Sequence, residues 1–117
     1  MNRRAVGSRF EEMAADYLEA QGLAILTRNY RCRLGEIDLV AREGETLVFI
    51  EVKYRRGNAC GAPEEAVHTA KQQRIRRVAQ WYLMDQQLPV ETCCRFDVVA
   101  VDGGGRLTHY RNAFGGI

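Results

Sequence analysis

The sequence predicts an α/β protein with the element order αβββαββ and a helix on at least one face of its sheet. Two long segments carry apolar residues at helical spacing, near residues 8–21 and 63–87. Five shorter segments are rich in β-branched and aromatic residues and are separated by turn-forming residues. A length of 117 residues corresponds to a single domain, 1–117, with one core.

The first helix is predicted over residues 8–21. Ser8 and Glu11 have the spacing of a capping box, with Ser8 at the N-cap and Glu11 at the third helical position. Gly22 suits the position that follows a helix. Glu11 also shares a helical face with Leu18, so its side chain is expected to point inward.

Three strands are predicted next, over residues 23–33, 36–42 and 46–54. The third, TLVFIEVKY, is apolar on both faces before its end, which favours a central position in the sheet. Residues 43–45 form the turn of the hairpin that joins the second and third strands. The segment 55–62 contains two glycines and no periodicity, and is predicted to be a mobile loop.

Pro63 is predicted to open a second helix that runs to about Gln87, where Leu88 and Pro89 end it. Lys71 falls on the apolar stripe of this helix, whereas Arg74 belongs to a polar wall that includes Gln72. The remaining strands are predicted over 95–101 and 106–112, joined by a glycine-rich turn.

Charge and composition exclude several classes of protein. Seventeen basic and fifteen acidic residues give a net charge of +2, which excludes a histone-like cation and an acidic disordered tail. No apolar run is long enough for a transmembrane helix, and the N-terminus lacks the apolar core of a signal peptide. We therefore expect a cytoplasmic protein with no membrane partner, whose four cysteines are free thiols rather than zinc ligands.

Two carboxylates occupy positions where a solvated charge is unusual. Glu51 and Lys53 end the most apolar strand and, at a spacing of two residues, lie on one face of it. A charge at the end of a central strand needs a cleft, a partner or a metal. Asp38 lies in the neighbouring strand, and a hairpin loop of two or four residues would place it on the face of Glu51. A three-residue loop without a compensating bulge would place it on the opposite face.

Two neighbouring carboxylates repel each other, and a hard divalent cation such as Mg²⁺ or Mn²⁺ relieves that repulsion. Such an ion orients water and stabilises the charge that develops on a phosphate. Lys53 can release or accept a proton there, which arginine cannot. Only Lys53 and Lys71 are lysines among the seventeen basic residues. An ordinary Lys–Glu pair at a sheet edge fits the same spacing equally well.

The chain resembles the YraN-like family of small bacterial proteins, which is related to the PD-(D/E)XK nucleases and to archaeal Holliday junction resolvases. The resemblance covers residues 7–114. It rests on blocks in a fixed order, which include Gly7-x-x-x-Glu11, Arg28-Asn29, Gly35-Glu36-Ile37-Asp38-Leu39-Val40, Val48-Phe49-Ile50-Glu51-Val52-Lys53, Pro63-Glu64-Glu65-Ala66-Val67, Lys71, Arg95-Phe96-Asp97-Val98-Val99 and Arg111-Asn112-Ala113-Phe114. Phe10 and Tyr54 depart from the family, where Gly and Thr are common.

The resemblance implies a restriction-endonuclease-like fold, a mixed sheet with flanking helices. It also implies that Asp38 and Glu51 bind the metal, that Lys53 assists, and that Glu11 completes the catalytic site. The capping box offers an equally good explanation for Glu11. Because related resolvases are homodimers, a homodimer is a further expectation.

Basic residues near this site in the sequence are candidates for phosphate contacts: Arg33, Arg55, Arg56, Lys71 and Arg74. A solvated polar face or a lysine that snorkels past the core explains some of them as well. The leading hypothesis is a metal-dependent endonuclease that acts on branched or structured DNA. The alternatives are a non-catalytic nucleic-acid-binding module of the same fold and an interaction domain.

Overall fold

A computed structural model of the chain describes residues 3–55 and 67–115, with side chains from residue 9 onward. It confirms the predicted element order αβββαββ. The elements are α1 (Arg3–Ala20), β1 (Ala24–Cys32), β2 (Gly35–Glu43), β3 (Thr46–Arg55), α2 (Thr69–Asp85), β4 (Cys94–Asp102) and β5 (Leu107–Phe114).

The five strands form one mixed sheet in the order β1-β2-β3-β4-β5. Strands β3 and β4 run parallel, because the chain crosses between them through α2, and the other neighbours are antiparallel. The central position predicted for β3 is confirmed. The architecture is consistent with a restriction-endonuclease-like fold.

The two helices found in residues 3–55 and 67–115 cover opposite faces of the sheet. Along β3, Leu47 and Phe49 pack in a buried cluster with residues of α2, whereas Val48 and Ile50 pack in a second cluster with residues of α1. Side chains alternate between the faces of a strand, so each helix has its own face. The central strand is apolar on both sides because both sides are buried.

Two residues after the end of α1 and of α2 comes a residue with positive φ, and the residue that follows it donates a hydrogen bond back into the last turn of the helix. Gly22 has φ +96° and Gln87 has φ +55°. Leu23 N–H donates to the Leu18 carbonyl at 3.0 Å, and Leu88 N–H donates to the Leu83 carbonyl at 2.8 Å. The role predicted for Gly22 is confirmed.

The predicted starts of the helices are wrong. Helix α1 begins at Arg3, so Ser8 lies inside it and not at its N-cap. The arginines and alanine before Ser8 are good helix formers, which explains the longer helix. Helix α2 begins at Thr69, after the extended N-cap His68. Pro63 and loop residues 56–62 lie outside the described residues.

Gln72 does not belong to a polar wall, because its side chain is buried in the interface between α2 and the sheet. Its amide nitrogen donates to the Val67 carbonyl at 2.9 Å. This hydrogen bond satisfies a polar group that burial would otherwise penalise.

Neither helix, as far as the structure describes the chain, is long and apolar enough to cross a membrane. Cys32, Cys93 and Cys94 are free thiols, as expected. Cys60 lies outside the described residues.

Candidate metal and nucleic-acid site

The β2–β3 hairpin determines how the two candidate metal ligands meet. Glu43 pairs with Thr46, so the loop has two residues, and its first residue, Gly44, has φ +60°. The ladder extends to the pair Leu39 and Ile50. One step further, the same register places Asp38 opposite Glu51, as a two-residue loop predicts.

Strand β2 separates from β3 at Asp38. Asp38 Oδ2 accepts a hydrogen bond from the Val52 backbone N–H at 2.8 Å, so a side chain replaces the next ladder bond. Ile37 and Leu39 belong to the clusters on opposite faces, so the regular alternation of side chains along β2 is interrupted between them. This separation opens a pocket of about 170 Å³, lined by Gly35, Glu36, Asp38, Glu51, Lys71, Arg74 and Ile75.

Glu51 is a buried carboxylate, only 8% exposed. Its Oε1 pairs with Lys71 Nζ at 2.8 Å. Its Oε2 is buried and has no hydrogen-bond partner among the described residues. Burial and the charge of Asp38 raise the pKa of Glu51 to about 7, because they outweigh the opposing effect of Lys71.

Glu11 approaches Asp38 from α1, in the inward orientation predicted for it. Burial and the nearby Asp38 carboxylate raise the pKa of Glu11 to about 7. Burial also raises the pKa of Asp38, although the Val52 N–H and Glu51 oppose this shift. Three carboxyl groups thus share one site, where full ionisation is unfavourable unless a cation joins them.

Asn29 is a member of this site that the sequence analysis missed. Its neighbours in β1 pair as Arg28 with Leu39 and Tyr30 with Ile37, so Asn29 lies opposite Asp38. Its backbone has φ 52°, and its amide nitrogen, in the orientation that satisfies both partners, donates to the two Glu11 oxygens at 3.1 and 3.3 Å. Asparagine is depleted in strands, so its presence within β1 was the available signal.

Glu36 is a second residue that the sequence analysis missed. Carboxylate oxygens of Glu11, Glu36 and Asp38 all lie within 4.8 Å of one another. Glu36 is exposed and pairs with Arg31 Nε at 2.5 Å. Its spacing of two residues from Asp38 on one strand was the signal.

These side chains fit a hard divalent cation. The Oε2 atom of Glu51 is a buried acceptor without a donor among the described residues, which is a costly arrangement for a carboxylate alone. Carboxylate oxygens are the ligands that Mg²⁺ and Mn²⁺ favour. A cation between Asp38 and its carboxylate neighbours would satisfy this acceptor and neutralise the repulsion.

The two lysines take different positions. Lys53 is exposed and, by alternation along β3, lies on the face of Glu51. Its side chain makes no hydrogen bond or ion pair within the described part of the chain. Lys71, predicted only as a phosphate contact, is the lysine that pairs with a candidate metal ligand.

The predicted phosphate contacts fall partly around the pocket. Arg74 lines it, and Arg33 lies exposed in the β1–β2 turn. Neither arginine has a carboxylate partner among residues 3–55 and 67–115. Arg55 lies over the Tyr110 ring at 5.6 Å, and Arg56 falls outside the described residues.

Comparison with known proteins identifies similar chains in bacteria. The model of a family described as "Uncharacterised protein family UPF0102" matches residues 10–101. A UPF0102 protein of Lachnoclostridium phytofermentans is 55% identical over 101 residues, which cover 86% of each chain. A UPF0102 protein of Syntrophotalea carbinolica is 47% identical over 115 residues, which cover 96% of this chain and 93% of that relative.

Proposed function

Since the chain belongs to the uncharacterised family UPF0102, we propose that it is a metal-dependent nuclease that hydrolyses phosphodiester bonds in branched or structured DNA. One observation carries the proposal. Where β2 leaves β3, Glu11, Asp38 and Glu51 converge, and a buried Glu51 oxygen lacks a partner among the described residues. The same convergence supports a relationship to the PD-(D/E)XK nucleases.

Asp38, Glu51 and Glu11 would hold the metal, with Glu36 at its exposed side. A bound Mg²⁺ or Mn²⁺ would supply activation of water and neutralisation of charge on the phosphate. The Val52 N–H fixes the Asp38 carboxylate by binding Oδ2, which keeps Oδ1 free of that hydrogen bond. The chain thus holds its central ligand in one orientation before any substrate binds.

The basic residues around the pocket have different roles in this proposal. Lys71 compensates the buried charge of Glu51 and presents an ammonium at the pocket wall. Arg74 lines the same wall without a carboxylate partner among the described residues, and is suited to bind a phosphate oxygen. Lys53 lies at the exposed end of β3, where it can reach the scissile phosphate once DNA is bound.

The decisive experiment compares cleavage of a four-way junction, a flap and linear duplex DNA in Mg²⁺ and in Mn²⁺. Asp38→Asn and Lys53→Met are expected to abolish cutting of the preferred substrate while retaining binding. Glu45→Gln, in the exposed hairpin turn, is the matched control and is expected to cut like the wild type. Equal cutting by the wild type and Asp38→Asn would refute the assignment of the site.

A non-catalytic nucleic-acid-binding module remains the second candidate, because Lys53 does not contact the carboxylates. Binding of DNA by the wild type and both variants, with no cleavage in either metal, would establish this alternative. A homodimer that presents two such sites to a symmetric junction is part of the nuclease proposal. Its test is the mass of the protein, with and without a four-way junction, by light scattering.

A further inference from the structure

Phe10 and Tyr54 form a stacked pair of rings at the surface. Their centroids are 4.7 Å apart, and their planes are 15° from parallel. Phe10 rests against the core cluster under α1, whereas Tyr54 belongs to neither cluster and is 44% exposed. Every other ring pair formed by the described residues has at least one nearly buried side chain. This pair therefore reaches from the edge of the core into solvent.

Each ring belongs to a residue that is next to a proposed site residue in the sequence. Phe10 directly precedes Glu11 in α1, and Tyr54 directly follows Lys53 in β3. By alternation, Tyr54 points to the α1 face of the sheet, the side from which Glu11 reaches Asp38. A polymer strand with one phosphate at the carboxylates would pass the rings with a neighbouring nucleotide.

Charge around the rings favours an anionic ligand over an apolar peptide. Arg9 is exposed and directly precedes Phe10 in α1. Lys53 is exposed next to Tyr54 in the sequence, although its side chain lies on the other face of β3. Neither has an ion-pair partner in the parts of the chain that the structure describes. Cations next to an exposed ring are the combination with which proteins bind single-stranded nucleic acids.

We propose that the Phe10–Tyr54 stack binds an unpaired nucleobase adjacent to the scissile phosphate. The proposal rests on the proposed nuclease function and specifies its substrate, a strand with at least one unstacked nucleotide next to the site. A base within a duplex exposes only its edge, so its face is available to Tyr54 only when it is unpaired. This requirement selects junctions, flaps and single strands over continuous duplex.

The test measures binding without metal, so that it does not depend on cleavage. A single-stranded oligonucleotide that carries one 2-aminopurine is titrated with protein in EDTA, and 2-aminopurine fluorescence and the anisotropy of a terminal dye are followed together. Wild-type protein is expected to quench the 2-aminopurine by stacking. Tyr54→Leu is expected to lose the quenching and to raise Kd about tenfold. Tyr54→Phe, which keeps the ring, is the matched control and is expected to retain both.

The outcomes separate this proposal from the function on which it rests. If Tyr54→Leu and Phe10→Leu both quench and bind like the wild type, the aromatic site is refuted and the nuclease proposal is unaffected. If the wild type changes neither signal, the protein does not bind the single strand and the aromatic site is refuted, whereas the nuclease proposal is decided separately by cleavage of the four-way junction and the flap in Mg²⁺ or Mn²⁺. Thermal unfolding of each variant identifies loss of binding that results from loss of folding. In that case the wild type and Tyr54→Phe, which both keep the ring, are each titrated with a strand that carries 2-aminopurine and with a strand that carries an abasic site in its place. Weaker binding of the abasic strand supports stacking of a base, and equal binding of the two strands refutes it.

Discussion

Glu51 shows how a single residue can lower the stability of the fold and still suit a metal site. The carboxylate is buried at the end of the central strand, and its pKa is raised to about 7 by burial and by Asp38. The folded protein therefore binds a proton that the unfolded chain releases near the ordinary value of 4.5. Stability contributed by this proton falls as the pH rises from 4.5 through about 7.

Replacement of Glu51 by Gln should consequently stabilise the metal-free protein at alkaline pH. At pH 8 we expect a gain on the order of 3 kcal/mol, because the variant has no charge to bury, and near pH 4 we expect almost none. Urea unfolding in EDTA at the two pH values measures the difference. Glu45→Gln, an exposed carboxylate in the hairpin turn, is the control and should change stability little at either pH. A loss of stability at pH 8 would show that the Lys71 pair outweighs the cost of burial.

Asn29 is expected to act on Glu11 as a positioning residue. Its hydrogen bonds lower the pKa of Glu11 against the effects of burial and of Asp38. Asn29→Gly keeps the freedom to adopt φ 52° but removes the amide, so the pKa of Glu11 should rise above its value of about 7. Carbon-detected NMR titration of the Glu11 carboxyl measures this shift. An unchanged titration in a folded variant would exclude the contact.

At the scale of elements, the β1–β2 hairpin closes against α2 through a glycine. Gly35 begins β2 with φ +148°, and an added Cβ would lie 3.2 Å from Arg74 Cδ and 3.3 Å from Val78 Cγ2. A side chain at this position would therefore strain the backbone and displace the arginine that lines the pocket. The glycine allows α2 to pack directly over the mouth of the site.

Gly35→Ala is expected to destabilise the protein by about 2 kcal/mol, through strain and crowding together. It should also weaken DNA binding in EDTA, since Arg74 must move. Gly22→Asn provides the comparison, because Gly22 follows α1 with φ +96° and open space around it, and asparagine is the other residue found at this position after a helix. Denaturant unfolding and DNA anisotropy distinguish the two glycines. Equal changes of unfolding stability and of DNA affinity in both variants would contradict the close approach of α2 to Gly35.

The same elements show what local sequence can predict. Each strand is found within two residues of its predicted bounds, because alternation and turn residues are local signals. The shared face of Asp38 and Glu51 was conditional on a loop length that local residues left open. Glu11 was predicted to point inward from helical spacing alone.

Features that depend on pairing between distant segments escaped prediction. The position of Asn29 opposite Asp38 follows from the β1–β2 register and from a positive φ that asparagine only permits. Burial of Gln72 depends on a carbonyl that is free only because α2 begins at Thr69. In each case a tertiary contact overrides the local preference.

At the scale of the whole molecule, a buried polar network joins the β4–β5 half of the sheet to β2. Asp97, fully buried, accepts hydrogen bonds from His109 Nε2 at 2.8 Å, Arg95 Nε at 3.1 Å and the Asn112 N–H at 2.9 Å. Arg95 Nη1 also pairs with Glu43 Oε1 in β2 at 2.7 Å. Burial alone would raise the pKa of Asp97, but these hydrogen bonds outweigh it and lower the pKa.

Asp97→Asn should cost about 3 kcal/mol of folding stability at neutral pH, because it leaves buried donors without their charged acceptor. Since the pKa of Asp97 is lowered, its contribution is present above the ordinary value of 3.8 and is lost as the pH falls through the lower folded value. The free energies of unfolding of the wild type and Asp97→Asn should therefore become equal at acid pH. Asp85→Asn, at an exposed contact with Tyr30, is the control and should cost less than about 1 kcal/mol. A constant difference down to low pH would contradict the role of the charge.

The carboxylates at the two ends of the sheet change the folding stability in opposite directions as the pH rises, and a divalent cation should change the pH at which stability is greatest. Without metal, Asp97 favours folding above acid pH, whereas Glu11 and Glu51 oppose it as the pH rises towards about 7. Stability should therefore be greatest near about pH 5 and decline towards pH 8.

Binding of Mn²⁺ or Mg²⁺ requires the ionised carboxylates, so the ion should raise Tm more at pH 8 than at pH 5.5. The pH of maximum stability should therefore move to a higher value. Asp38→Asn should remove this gain, and Glu45→Gln should keep it. An equal rise in Tm for the wild type and Asp38→Asn would place the ion elsewhere, because Asp38 is the carboxylate that both Glu11 and Glu51 approach.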